Sequence, residues 1–130
     1  MRGIIYKTVW IVLLIVSGMG RLAAQIPEEV VNGFKTGNAG ALSVYFSQNI
    51  EMVVLDHDDI FSKAQAQQIL ASFFNQHEAH GFSLKHQGGK EGARYAIGSL
   101  ITENGTFRVY FLLKEEGNKT CIHQLRIEKQ

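Results

Sequence analysis

The sequence predicts an α+β domain in which a few N-terminal helices pack on an antiparallel sheet. Three observations carry that reading. Apolar residues recur at helical spacing as far as Gly81 and alternate with period two after it. Ser62-Lys63-Ala64-Gln65 is a capping box, serine at the cap and glutamine three residues on, so a helix opens there. Asn104-Gly105 is the dipeptide of a type I′ hairpin turn, and apolar alternation flanks it on both sides. Helices first and strands afterwards place the helices on one face of the sheet.

The elements follow in order. Pro27 suits the first turn of a helix, whose face is Val30, Val31 and Phe34 and whose end is Gly37. Asn38 caps a second helix with Leu42, Tyr45 and Phe46 at i, i+3, i+4. Residues 50–55 read as a strand, Asp56-His57-Asp58-Asp59 as a polar turn, and Ile60-Phe61 as a short return. The long helix turns Ala66, Ile69, Leu70, Phe73 and Phe74 inward and is expected to stop at Gly81. In the meander, Phe82, Leu84 and His86 share one parity, as do Tyr95, Ile97, Ser99 and Ile101. Phe107, Val109, Phe111 and Leu113 follow, then Cys121, His123, Leu125 and Ile127. Gly88–Gly92 and Glu116-Gly117-Asn118 supply the turns.

The first 24 residues are expected to be a signal peptide, leaving residues 25–130 as the single domain. Arg2 and Lys7 precede the apolar run from Val9 to Val16, and Ala23-Ala24 offers small residues at the cut. The run from Thr8 to Met19 falls short of the ~20 residues of a membrane span. The protein is therefore expected to be exported, periplasmic or secreted, with no membrane attachment after cleavage. Without the leader, ten Lys and Arg stand against twelve Asp and Glu, a net charge of −2. That balance provides no broad electrostatic footprint for nucleic acid. Cys121 is the one cysteine, so stability must come from the core rather than from a disulfide.

Five segments resemble one known family: residues 37–46 (GNAGALSVYF), 62–66 (SKAQA), 95–98 (YAIG), 104–111 (NGTFRVYF) and 122–128 (IHQLRIE). They are similar to the exported bacterial domain-of-unknown-function 4783 family. The element order also resembles the nuclear-transport-factor-2-like, or cystatin-like, cone folds. The resemblance spans nearly the whole mature chain. It implies a cone-shaped, curved sheet and an exported setting; it brings no catalytic residues with it.

Most chemistry-bearing patterns have simpler readings. His77 and His80 stand at i, i+3 with no third ligand in sight, and read as a solvated last helical turn. Asp56-His57-Asp58-Asp59 lacks the glycine and glutamate of a calcium loop and reads as a turn. Neither a metal nor another cofactor is expected. Asn104-Gly105-Thr106 and Asn118-Lys119-Thr120 match the glycosylation acceptor but read as hairpin turns.

His86 and His123 fall among apolar neighbours. In a cone-shaped fold their face is the concave one. Phe82, Leu84, His86, Tyr95, Phe111 and His123 are thus expected to line a pocket for a small apolar ligand. The opposite parity carries Leu100, Tyr110, Leu112 and Ile122, with Arg94, Arg108 and Arg126 around them. An apolar centre with tyrosine and arginine is an interface composition, so a homodimer through this exposed face is expected. The leading reading is a non-enzymatic module that binds a small ligand or another protein. The alternative is a small pocket enzyme, of isomerase or hydrolase type, using a cavity histidine.

Overall fold

The computed structural model describes residues 26–130, and the expected leader over residues 1–24 lies outside them. Two helices open the domain, α1 (Glu28–Thr36) and α2 (Ala39–Ser43). The hairpin β1 (Phe46–Val54) and β2 (His57–Ser62) leads into the long helix α3 (Lys63–Gln76). Strands β3 (Ala79–Lys90), β4 (Ala93–Thr102), β5 (Gly105–Glu116) and β6 (Lys119–Lys129) complete the chain. The strands form one sheet in the order β2-β1-β6-β5-β4-β3. The domain is α+β, as its sequence predicts. Among the described residues, no helix is long and apolar enough to cross a membrane.

Local chemistry sets the boundaries. The α1 helix ends where Gly37 adopts a left-handed φ of 65° and its N–H reaches back to the Gly33 and Phe34 carbonyls. The Asn38 side chain accepts from the Ala41 N–H and starts α2. Both arms of the capping box are made: the Ser62 hydroxyl accepts from the Gln65 N–H at 3.2 Å, and the Ser62 N–H donates to Gln65 Oε1 at 3.1 Å.

Several boundaries and one strand direction differ from the sequence reading. His57, Asp58 and Asp59, expected in a turn, pair with β1 as part of β2. Strand β3 runs on to Lys90, so the expected Gly88–Gly92 turn shrinks to Glu91 and Gly92. The second helix ends at Ser43, and Phe46 already belongs to β1, where it pairs with Ile122. The long helix ends at Gln76, five residues before Gly81. There the Glu78 carbonyl accepts from the Glu103 N–H, and Asn104 Oδ1 sits 2.7 Å from His77 Nδ1, so sheet pairing captures the chain early. His77 and His80 consequently do not share a helical turn. The sheet is also mixed rather than wholly antiparallel, because β1 returns beside β6 in parallel.

One face of the sheet carries the three helices of the described residues. Beneath them lies an aromatic centre: Phe34 stacks with Phe111 at 5.5 Å between ring centroids and lies 4.9 Å from Phe82. Phe73 meets Phe107 edge-on at 5.1 Å. Ile50, Met52, Leu70, Leu100, Ile122, Leu125 and Ile127 fill the space around the rings and are fully buried. These buried side chains form one continuous core between helices and sheet.

Candidate functional site

The alternation on β4 runs opposite to the sequence reading. Ala96, Gly98 and Leu100 face the helices, paired with Phe111, Val109 and Phe107 of β5. Tyr95, Ile97 and Ser99 look outward, opposite Leu112, Tyr110 and Arg108. The reason is volume: the Phe82 ring occupies the core above Gly98, and the rings around it leave room for only small residues at positions 96 and 98. Two β-bulges shift the other parities. Lys85 is the extra residue between the Leu84–Gly98 and His86–Ile97 pairs, which turns His86 outward. His123 is skipped between the Leu112–Gln124 and Leu113–Ile122 pairs, which turns Ile122 inward.

The six residues read as one pocket are therefore distributed over three places. Phe82 and Phe111 are in the filled core, with Leu84 partly buried at its margin. Tyr95 and His86 meet on the outer face, Tyr95 Oη 3.2 Å from His86 Nε2. His123 is the bulge residue within β6, against Glu116. Among the residues read as an interface, Leu100 and Ile122 are buried in the core. Arg94 pairs with Leu113 and so also belongs to the helix side. Tyr110, Leu112, Arg108 and Arg126 do lie together on the outer face.

That face is laid out in cross-strand rows. One runs Asp58–Val53–Arg126–Tyr110–Ile97–His86 from the β2 edge to the β3 edge. The next runs Ile60–Glu51–Gln124–Leu112–Tyr95–Gly88. Its centre is apolar and aromatic, with Tyr95 stacked on Tyr110 at 6.2 Å. Ile60 and Ile101, 62% and 51% exposed, add apolar surface at its borders. Acid gathers at the β2 margin, where Glu51 accepts from Gln124 Nε2 at 2.9 Å. Arg126 lies in the middle, 3.6 Å from Glu128. A groove of about 330 Å³ opens on this face, bordered by Glu51, Asp58, Ile60, Tyr110, Gln124 and Arg126.

His123 has a carboxylate partner that strand parity could not indicate. Its Nε2 lies against Glu116, as an ion pair when the ring is protonated. The same carboxylate accepts from the Ser47 hydroxyl at 2.8 Å. Glu116 is held below the usual carboxylate range by the Ser47 hydrogen bond above all; burial opposes this, and the charge of His123 adds to the lowering. Burial raises the neighbouring Cys121 thiol, and the Glu116 charge raises it further. That is the reverse of what a nucleophilic cysteine needs. Ser47 and Glu116 are 69 residues apart in the chain, and only the parallel pairing of β1 with β6 brings them together. Among the described residues no group of three His, Cys, Asp or Glu is placed to hold a metal ion.

A family model described as "Domain of unknown function (DUF4783)" matches residues 27–128. The chain is similar to a solved DUF4783 protein from Bacteroides ovatus, 34% identical, with a TM-score of 0.78 over 82% of this chain and 97% of that one. A Bacteroides uniformis DUF4783 protein is 34% identical, with a TM-score of 0.77 over 82% and 98%. At 6% identity a Nostoc punctiforme domain with a cystatin-like fold shares the architecture, with a TM-score of 0.63 over 79% and 72%. No curated protein matches the chain.

Proposed function

This chain belongs to the DUF4783 family, and on that premise we propose that it is an exported, non-enzymatic interaction module working through the outer face of its sheet. One observation carries the reading. Tyr95, Ile97, Tyr110 and Leu112 form an apolar, aromatic centre on a face that, among the described residues, no helix covers, because the three described helices pack on the other side. Arginine and tyrosine beside apolar residues are the composition of interface centres. The partner proposed is a second copy of this chain. Six strands about 4.8 Å apart and roughly ten residues long present on the order of 800 Å² of face. A stable interface takes about that much from each partner. The groove beside Tyr110 is where a small ligand would lie if the module also carries one.

The test is light scattering across a concentration series, on wild type and Tyr110→Glu. Wild type is expected to reach the mass of two chains. Tyr110→Glu is expected to stay at one chain with its circular dichroism unchanged, because a carboxylate there is buried only in the dimer. A wild type of one-chain mass at every concentration would overturn the reading.

A further inference from the structure

We infer that the two copies pack with their two-fold axis parallel to the strands, between β6 and β5, so that the acidic margin of each sheet covers the histidine margin of the other. This rests on the dimer reading above and fixes its geometry.

Two sheets packed face to face can be related by a two-fold axis in the interface plane, along the strands or across them. The axis along the strands exchanges β2 with β3, β1 with β4 and β6 with β5, given the strand order. The Asp58–His86 row is then read against its own reverse. Asp58 faces the partner's His86, Val53 faces the partner's Ile97, and Arg126 faces the partner's Tyr110. Each is a favourable match: a carboxylate with an imidazole, two β-branched apolar side chains, and a guanidinium with an aromatic ring. In the neighbouring row, Ile60 comes over the partner's Gly88, which the Tyr95 ring covers. The most exposed apolar side chain of β2 thus meets an aromatic surface.

The axis across the strands does the opposite. Each strand then covers its own copy, so the acidic β2 margin with Asp58 lies over the same margin of the partner, and β6 with Arg126 lies over the partner's β6. Like charges set opposite one another at an interface are costly. Packed sheets cross at about 30°, which offsets their margins by about one row. Exposed Lys85, next to His86 on β3, keeps a cation near the acidic margin after that offset.

Charge exchange separates the two geometries. Dimer dissociation constants are measured by sedimentation for wild type, Asp58→Lys, His86→Glu and the double variant, with circular dichroism confirming each fold. Both single variants are expected to weaken the dimer by about tenfold or more: Asp58→Lys takes the carboxylate from the imidazole and sets a cation against the lysine-bearing β3 margin, and His86→Glu sets two carboxylates opposite one another. The double variant restores an opposite pair and is expected to return to within about threefold of wild type. If the single losses add in the double variant, or if neither single variant weakens a dimer that Tyr110→Glu does break, the axis is overturned and the dimer stands. A wild type that never dimerises overturns both.

Discussion

The Phe82 ring lies over Gly98 on the helix-facing side of the sheet. A Cβ built on Gly98 would stand 2.6 Å from Phe82 Cε1, closer still to Cζ, and 3.0 Å from the Ser83 carbonyl oxygen. On the other face Tyr95 lies over Gly88 in the same way, a Cβ there falling 2.5 Å from Tyr95 Oη. Two glycines of adjacent strands thus seat two rings on opposite sides of one sheet.

Gly98→Ala is therefore expected to destabilise by about 1–3 kcal/mol, the usual penalty for overfilling a packed core. Urea unfolding of Gly98→Ala, Phe82→Leu and the double variant tests the cause. If the ring is the obstacle, the alanine costs less once Phe82 is gone, and the cycle shows a coupling of about 0.5 kcal/mol or more. Additive losses would place the strain in the backbone instead.

Phe34→Ala is expected to cost about 3–5 kcal/mol, because Phe34 is fully buried and its ring touches both Phe82 and Phe111. That is a large share of a domain stability of about 5–15 kcal/mol. The urea midpoint should fall steeply with an unchanged slope. A midpoint near wild type would mean that the aromatic centre collapses onto the gap.

Much of this core was readable in the sequence, and the reasons for the exceptions are physical. Phe34, Leu70, Phe73, Phe107 and Phe111 are buried where periodicity puts them, since a large apolar residue on a regular element has one face to hide. On β4 the same logic fails. Tyr95 and Ile97 outrank Ala96 and Gly98 in size, but the volume above that strand belongs to rings from β3, β5 and α1. Bulges at Lys85 and His123 have no signature in hydrophobic pattern, and each shifts the residues next to it by one face. The outer-face site was half legible for that reason: Tyr110, Leu112, Arg108 and Arg126 were visible, while Tyr95, Ile97 and His86 needed the register. The Ser47–Glu116 contact spans too much chain for any local pattern to record.

Stability is expected to fall in acid partly through Glu116. Its carboxyl lies below its ordinary value of 4.5, with the Ser47 hydroxyl as the main cause and His123 next. A carboxyl depressed on folding contributes stability that is fully present above the unfolded value and is lost as pH falls through the folded one. The loss attributable to Glu116 should begin as pH drops toward 4.5 and complete below it. Urea midpoints measured against pH for wild type, Ser47→Ala and Glu116→Gln check this. Both variants should show a shallower acid limb, and an unchanged limb would remove Glu116 from the account.

The β1–β2 turn carries a strained residue. Val54 pairs with His57, so Leu55 and Asp56 make a two-residue loop, and Leu55 has a φ of 54°. A leucine in the left-handed region costs about 1–2 kcal/mol, whereas glycine enters it freely. Glycine is the usual occupant of the first central position when only that residue has positive φ. The Leu55 side chain is 42% exposed, so truncating it forfeits only part of its burial. Leu55→Gly is expected to be neutral or stabilising by up to about 1 kcal/mol, against the general rule that glycine weakens a folded chain. A loss of stability in thermal unfolding would show that the side chain, through its place beside Ile69 and Phe73, contributes more than the strained backbone costs.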